Sequence, residues 1–243
     1  MRNISKSAAW ADWTTRRVKG NGSGQTVMKS ETGAFIAGNT DLIRPPHVPE
    51  IELHLASEAH DLWLKTEEEL EAVGLPPPFW AFAWAGGQGL ARYILDNPET
   101  VRGKSVLDFA SGSGLVAIAA AIAGAGAVTA SDIDPWSTMA TAMNARHNGV
   151  TIATRADDIL ATDDGWQVVL AGDVFYDQSL AETLMPWFEA LSARGAQILI
   201  GDPGRSYCPR DRLKQLSVYE VAVSRTLEDA EVKKTTVWRF GAP

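Results

Sequence analysis

Residues 105–119 read SVLDFASGSGLVAIA and set the architecture expected for this chain. The stretch begins with a short apolar run, from Val106 to Phe109, that is typical of a buried strand. Small residues follow, two of them glycines, which favour a tight turn because glycine adopts positive φ at no steric cost. The last residues are rich in alanine and favour a helix. The sequence therefore predicts a strand, a tight turn and a helix.

Strand-like and helix-like stretches alternate beyond residue 100. The strand-like runs are Ser105–Phe109, Ala127–Ser131, Val150–Thr154, Val168–Ala171 and Ala196–Ile200. This alternation is typical of a mostly parallel sheet with helices on both faces. Two late runs, near Val218–Ser224 and Thr235–Phe240, have no long helix between them and predict an antiparallel hairpin at one edge. We therefore expect an α/β fold: a doubly wound, Rossmann-like, seven-stranded and mostly parallel sheet with a C-terminal antiparallel hairpin.

Length and composition indicate one globular domain with an extension. A chain of 243 residues with 45% hydrophobic content can bury one core. Residues 1–35 are poor in acids and rich in Arg, Lys, Ser, Thr and Gly, which is typical of a flexible arm. We expect a partly flexible N-terminal extension over residues 1–44 and a single domain over 45–243. From Pro45 we expect a strand around Ile51–Leu55 and then a helix, whose acidic run Glu67–Glu71 is either a solvated face or a contact for a lysine-rich partner.

Charge and cysteine content exclude several classes of protein. The formal net charge of −8 disfavours nucleic acid as a partner. No apolar run approaches the roughly 20 residues that span a bilayer, so no membrane segment is expected. One cysteine, Cys208, excludes an internal disulfide and indicates a reducing compartment. We expect a monomer without a metal site, in the cytoplasm, with the mitochondrial matrix as the alternative.

Two kinds of cofactor fit the turn by spacing. Gly112, Gly114 and Ala117 match the spacing of dinucleotide-binding turns, whereas Ala110, Gly112 and Gly114 match the looser G-x-G-x-G spacing of methyltransferase turns. Asp108 separates the two, because its carboxylate would repel a pyrophosphate but suits a ligand that carries an ammonium and a sulfonium. S-adenosylmethionine carries both charges and is the predicted cofactor. A purely structural role, in which Asp108 accepts hydrogen bonds from backbone amides of the turn, is compatible with this prediction.

Carboxylates also follow the next two predicted strands. The second strand ends in VTASDIDP, where Asp132 can accept hydrogen bonds from ribose hydroxyls. Asp134, followed by Pro135, is typical of a helix N-cap with proline at the first helical position. The third strand ends in TRADDIL, where Asp158 can accept a hydrogen bond from the adenine amine, with Asp157 as the alternative.

The fourth strand, WQVVLAGDVFYD, places Gly172, Asp173 and Tyr176 in a loop at the same edge of the sheet. An adenine-type DNA methyltransferase would have two prolines where Val174 and Phe175 stand, so that interpretation is disfavoured. A dehydrogenase would need a second, catalytic domain, for which the chain has no room.

Four segments taken together resemble a known family: PPPFWAFAWAGGQGLARYILDNPETVRGKSVLDFASGSG, SDIDP, GDVFYD and IGDPGR. They are similar to class I methyltransferases, to the family 16 protein methyltransferases with an Asp-x-x-Tyr motif, and most closely to the electron-transfer-flavoprotein β-subunit lysine methyltransferases, over roughly residues 45–240. The resemblance implies an S-adenosylmethionine-dependent protein lysine N-methyltransferase that acts on the electron-transfer flavoprotein β subunit. The alternatives are a methyltransferase for another protein, for instance a ribosomal one, or for a small molecule, and a non-catalytic binding module.

The resemblance also implies roles for individual residues. It places Trp84 beside the cofactor, the turn from Ala110 to Gly114 around its methionine part, Asp132 on the ribose, and Asp173 and Tyr176 along the lysine channel as the catalytic pair. With the residues argued above, the predicted cofactor group is Trp84, Asp108, Ala110, Ser111, Gly112, Gly114, Asp132, Asp158 and Gly172.

Some of these residues have a structural alternative. Trp80 and Trp84 also fit core aromatics, and Gly86–Gln88 fits a helix cap. Arg205, in GDPGR, has no ligand role that spacing supports. The chain departs from the family at Ala110, where the family turn has glycine, so a methyl group there would crowd the ligand or oppose positive φ.

Overall fold

A computed structural model describes residues 31–57, 62, 77–224 and 230–241. Its strands are β1 Asp41–Ile43, β2 Leu53–Leu55, β3 Ser105–Phe109, β4 Ala127–Ser131, β5 Ala153–Arg155, β6 Val168–Gly172, β7 Gln197–Asp202, β8 Leu213–Ala222 and β9 Val232–Phe240. The labelled helices are α1 Ala85–Asp96, α2 Leu115–Ile122, α3 Pro135–His147 and α4 Gln178–Ala193. The acidic run Glu67–Glu71 and the arm over residues 1–30 lie outside the described residues.

The main sheet has seven strands in the order β5-β4-β3-β6-β7-β9-β8. The pairs from β5 to β7 are parallel, and β9 pairs antiparallel with both β7 and β8. Strands β3 and β6 are central and buried on both faces, which explains their continuous apolar sequence. The predicted fold class is confirmed, including the antiparallel hairpin at the C-terminal edge.

Several predicted strand boundaries are wrong at the edges of the sheet. Strand β5 begins at Ala153 instead of Val150, because Val150 and Ile152 pack against the core ahead of the strand. Strand β8 begins at Leu213, five positions before the predicted Val218, because its first residues pair with the last residues of β9, from Phe240 back to Trp238. Strand β7 extends to Asp202, where β9 supplies an antiparallel partner.

Helix α1 approaches the sheet at its carboxyl edge more closely than ordinary side chains allow. A Cβ on Gly86 would lie 2.5 Å from the carbonyl oxygen of Gly201 and 2.7 Å from the backbone nitrogen of Asp173. A Cβ on Gly172 would lie 2.9 Å from Cα of Gly87. Glycines on both sides therefore bring the start of α1 against the ends of β6 and β7. Gly86–Gln88 lies within the first turn of α1 and does not cap it; Trp84 is at the cap position.

Residues ahead of the main sheet pack against helix α3. Strands β1 and β2 form a small antiparallel sheet, and residues 31–38 are helical. Ile36, Trp80 and Ala140 belong to one buried cluster, and the Trp80 ring stacks on Trp136 with centroids 6.3 Å apart. Trp80 is only 2% exposed and is therefore a core aromatic. The domain boundary at residue 45 stays a prediction. Among the described residues, no helix combines the length and the apolar character that a membrane crossing requires.

Candidate active site

A cleft lies at the carboxyl ends of β3 and β6, between the start of α1 and the turn before α2. Its lining comprises Phe82, Ala83, Trp84, Gly87, Asp108, Ala110, Ser111, Gly112, Ser113, Leu115, Val116 and Gly172. Six predicted cofactor residues are in this lining: Trp84, Asp108, Ala110, Ser111, Gly112 and Gly172. The other lining residues were missed, although each lies within three positions of a predicted one, which was the available signal.

The backbone conformation of the turn before α2 explains why its residues are small. Ala110, Gly112 and Gly114 have φ of +54°, +52° and +80°. Around Gly112 there is space, since an added Cβ would meet nothing closer than the Phe79 carbonyl oxygen at 3.9 Å. At Gly114 a Cβ would lie 2.8 Å from Cγ2 of Thr141. Gly112 therefore opens the cleft, whereas Gly114 caps α2 and allows α3 to pack, and it is not among the lining residues.

The positive φ of Ala110 strains its backbone, whereas glycine would adopt the same conformation without strain, and a first prediction follows. We expect Ala110→Gly to raise the free energy of unfolding by about 0.5 kcal/mol, because relief of left-handed strain exceeds the entropy that glycine adds to the unfolded chain. We also expect tighter binding of S-adenosylmethionine, because the methyl group that lines the cleft is removed. Thermal unfolding and calorimetry measure the two effects.

Ala161→Gly is the matched control for this prediction. Ala161 has φ of +63°, is exposed and is not among the lining residues of the cleft. It should show a similar gain in stability and no gain in affinity. Equal gains in affinity for the two variants would contradict a specific role for the Ala110 methyl group.

Asp108 is a buried carboxyl group at the end of β3. It is 2% exposed, and the backbone N–H of Ala117 donates a hydrogen bond of 2.9 Å to Oδ2. Burial raises the pKa of Asp108 to about 8, and the negative charge of Asp132 adds to the shift. In the described part of the chain no cation pairs with Asp108, so a positive ligand in the cleft would offset the cost of ionising it. Asp108 also has the structural role expected of it, as an acceptor of a backbone hydrogen bond, but the donor, Ala117, lies in α2 and not in the turn.

Asp132 and Asp134 follow β4. The backbone N–H groups of Gly112 and Asp134 each donate a hydrogen bond of 3.0 Å to the carboxylate of Asp132. Burial raises the pKa of Asp132, and these two bonds oppose the shift. Asp132 thus connects the end of β4 to the cleft-lining turn. Asp134 is the N-cap of α3, accepts a hydrogen bond of 2.9 Å from Trp136 N–H and precedes Pro135, so that prediction is confirmed.

The structure does not bring Asp158 into the cleft lining. Its side chain is exposed, and Oδ1 accepts a hydrogen bond of 3.0 Å from the backbone N–H of Leu160. Asp157, the alternative, forms an ion pair of 2.6 Å with Arg155. Both carboxylates therefore have local partners beyond the end of β5.

Asp173 is held in an unusual backbone conformation just after β6. Its φ is +64°, its side chain is 7% exposed, and its N–H donates to the carbonyl oxygen of Gly201 over 2.9 Å. Oδ2 accepts a hydrogen bond of 3.0 Å from the N–H of Gly86, and Oδ1 pairs with Nε of Arg205 over 2.5 Å. Asp173 is not itself in the cleft lining but directly follows Gly172, which is.

The Arg205 partner of Asp173 was missed by sequence reasoning. Arg205 follows β7, which is the parallel neighbour of β6. The available signal was topological, because residues just beyond the carboxyl ends of adjacent parallel strands lie at the same edge of a sheet.

Tyr176 lies in the loop between β6 and α4, next to an aromatic group around the cleft. Burial raises the pKa of its hydroxyl, as do the negative charges of Asp132, Asp177 and Asp173, so the hydroxyl stays protonated at neutral pH. The rings of Tyr176 and Phe79 have centroids 6.3 Å apart. Trp84 Nε1 donates to the Phe79 carbonyl oxygen over 2.9 Å. Tyr176 therefore lies within electrostatic range of Asp132 and of Asp173.

Comparison with solved structures supports the fold. The structure is similar to the T. thermophilus 16S rRNA N2 G1207 methyltransferase in complex with AdoMet and guanosine, with a TM-score of 0.51 and 18% sequence identity over 70% of this chain and 46% of that chain. The family model for ribosomal protein L11 methyltransferase matches residues 92–193, which include the strand, turn and helix around the cleft.

Curated relatives are similar over most of the chain. The electron transfer flavoprotein beta subunit lysine methyltransferase of Danio rerio is 37% identical over 93% of this chain and 88% of its own length. The enzymes of the same name from Mus musculus and Homo sapiens are 38% and 36% identical, and they cover 85% and 88% of this chain and 83% and 84% of their own lengths.

The order of the seven-stranded sheet and the likeness to a solved methyltransferase define the class I methyltransferase fold. The chain belongs to the electron transfer flavoprotein beta subunit lysine methyltransferase family. It is therefore an enzyme that transfers methyl groups from S-adenosylmethionine to protein lysine. The activity and the cofactor that the sequence predicts are confirmed.

Proposed function

We propose that this enzyme methylates lysine side chains of the electron transfer flavoprotein β subunit. The observation that carries the proposal is the juxtaposition, at one edge of the sheet, of the Asp173–Tyr176 loop and a cleft whose buried carboxyl group, Asp108, has no cationic partner among the described residues. The names of relatives that match nearly the whole chain supply the identity of the protein substrate.

The cleft-lining residues are proposed to bind the methyl donor. When bound, S-adenosylmethionine supplies a methyl group activated by its sulfonium. Asp108 balances the donor's positive charge, the turn from Ala110 to Gly114 encloses its methionine part, and Trp84 packs beside it. Asp132 accepts hydrogen bonds from the ribose with the lone pairs that the backbone amides leave free. The proposed adenine contact of Asp158 lies outside the cleft lining and would use the lone pairs that the N–H of Leu160 leaves free.

Asp173 and Tyr176 are proposed to receive the lysine. The reference pKa of lysine is about 10.4, so making its amine neutral at pH 7 costs roughly 4 to 5 kcal/mol. Burial near the rings of Phe79 and Tyr176 disfavours the ammonium form and lowers that cost. Asp173 orients the amine for in-line displacement and is not its base, since an ordinary carboxylate is too weak to remove this proton.

The surface charge supports recruitment of a lysine-bearing partner. The net charge of −8 favours encounter with a basic surface, mostly through the association rate. The same charge supports the proposal that nucleic acid is not a substrate. We further propose that the enzyme is a monomer and that it works in a reducing compartment, which is the cytoplasm or, as the alternative, the mitochondrial matrix. Light scattering and cell fractionation test these two points.

The substrate prediction is tested with purified electron transfer flavoprotein and labelled S-adenosylmethionine. We expect label on lysines of the β subunit, with the α subunit of the same flavoprotein as the internal control. Replacing the acceptor lysines by arginine should remove the label, because a guanidinium has no free amine lone pair. Labelling should weaken as the salt concentration rises, because salt screens the attraction between the acidic enzyme and a basic partner. At physiological ionic strength that attraction is already largely screened beyond about 8 Å.

Free lysine should be a poor substrate, because contacts with the folded partner are missing from its transition state. The proposal is wrong if mass spectrometry finds the flavoprotein unmodified while a ribosomal protein, nucleic acid or small metabolite from the same lysate carries the label.

A further inference from the structure

The loop over residues 203–209 places the guanidinium of Arg205 against the carboxylate of Asp173, the residue proposed to orient the lysine. The Arg205 side chain is 19% exposed and that of Asp173 is 7% exposed, so their ion pair is largely enclosed. An enclosed pair differs from a surface pair, because removing one partner leaves an uncompensated buried charge.

The backbone holds both partners of this pair in place. Asp202 Oδ1 accepts hydrogen bonds from the N–H groups of Gly204 and Arg205, over 2.7 and 3.0 Å. Two residues further on, Tyr207 N–H donates to the carbonyl oxygen of Phe175 over 3.3 Å, which ties this loop to the one that carries Tyr176. The Asp173 carboxylate is fixed by the N–H of Gly86. Arg205 is therefore directed at Asp173 by the fold.

Arg205 opposes a group of negative charges. The charges of Asp132, Asp173 and Asp177 raise the pKa of Tyr176, and the charge of Arg205 lowers it. On β7, burial and the charge of Asp173 raise the pKa of Asp202, and Arg205 again acts in the opposite direction. On the same loop, burial and the charge of Asp202 raise the pKa of the Cys208 thiol, and the charge of Arg210 lowers it.

We propose that Arg205 is a positioning residue for methyl transfer: it compensates the charge of Asp173 and fixes that carboxylate, so that the acceptor amine meets a nearly neutral pair and reacts in its uncharged form. A bare carboxylate would hold the amine as ammonium, which has no lone pair for the methyl group. The proposal rests on the proposed role of Asp173 towards lysine.

The test compares the pH dependence of kcat for wild type, Arg205→Gln and Arg205→Lys on the flavoprotein. In Arg205→Gln the unpaired carboxylate favours ammonium, so the acidic limb of the profile should move to higher pH by about one unit. This is about a tenfold loss near pH 7 that largely disappears near pH 9.5. Arg205→Lys, which keeps the charge, should retain most of the wild-type profile. Affinity for S-adenosylmethionine should stay within a few-fold.

Arg212→Gln is the matched control, because Arg212 also forms an arginine–carboxylate pair, with Glu189 at 2.7 Å, but both partners are about half exposed. It should leave kcat and its pH profile unchanged. A loss of kcat in Arg205→Gln that is equal at all pH values would overturn the proposal, since a merely structural defect has that signature.

A second measurement does not depend on the substrate. Arg205→Gln should lose more thermal stability near pH 8 than near pH 4.5, because a buried carboxylate without its cation is costly only while it is ionised. In an Asp173→Asn background the pH-dependent part of this loss should vanish. Equal losses at both pH values, additive with Asp173→Asn, would contradict charge compensation. If wild type leaves the flavoprotein unlabelled, the proposed substrate fails and this cycle alone decides the role of Arg205.

Discussion

Asp173→Asn should lower the rate of methyl transfer by about 100-fold or more while affinity for S-adenosylmethionine stays within a few-fold. Asparagine has the same shape and tolerates the left-handed backbone found here, so the backbone at this residue should keep its conformation, although Arg205 loses its anionic partner. The carbonyl oxygen of the new side chain can still accept the hydrogen bond from Gly86 N–H. The carboxylate that pairs with Arg205 and orients the acceptor amine is lost, and misplacement of the amine by about 1 Å costs about 100-fold.

Asp132→Ala is the contrasting variant and should show the reverse pattern. It removes the acceptor for the N–H groups of Gly112 and Asp134, so the cleft-lining turn loosens and donor affinity falls by about tenfold or more. With saturating donor, the rate should recover towards wild type. Calorimetry gives the affinities, and single-turnover kinetics give the rates. If both variants lose donor binding equally, the separation between a donor site and an acceptor site is wrong.

Gly201→Ala should reduce the free energy of unfolding by about 3 kcal/mol or more, which is the upper range for overpacking. The added Cβ would lie 2.1 Å from the carbonyl oxygen of Gly86 and 2.8 Å from Cβ of Leu90. Neither the backbone of α1 nor that of β7 can yield locally, so the helix must move away from the sheet. Methyl transfer should fall as well, because Gly86 and Gly201 each hydrogen-bond Asp173. Urea unfolding and kcat measure the two effects.

Gly38→Ala serves as the control for Gly201→Ala, since an added Cβ on Gly38 would meet no atom within 4 Å. Its stability should be unchanged or slightly raised, because alanine is the better helix former and residues 31–38 are helical. A Gly201→Ala variant as stable as wild type would contradict the close approach of α1 to the carboxyl edge of the sheet.

Features with a local or periodic cause could be predicted from sequence. Strand β3 has the predicted bounds and β6 ends one residue later, because central parallel strands are apolar on both faces and bounded by turn residues. The N-cap role of Asp134 follows from the two residues Asp134 and Pro135 alone. The positive φ at Ala110 was implied by the resemblance, because the family turn has glycine at this position, and the structure shows it.

Edge strands were predicted less well for a physical reason. Strand β8 is mostly exposed or half-buried and lacks a clean alternation of apolar residues, so its first residues carry little signal. Its extent depends on pairing with β9, which a local pattern does not contain. The early start predicted for β5 has the related cause that Val150 and Ile152 are apolar because they pack against the core.

The amino-acid sequence alone was enough for the sheet, the turn and the methyl donor, because those depend on periodicity, local backbone rules and charge. The roles of Trp84, Asp173 and Tyr176 were implied by the resemblance to a family and stay predictions. The environment of Asp173 depended on tertiary structure. Its ion pair with Arg205 joins residues 32 positions apart, and its bond to Gly86 joins residues 87 positions apart. Such contacts arise only when β6, β7 and α1 pack together, so a sequence pattern shows the carboxylate without the guanidinium that compensates its charge.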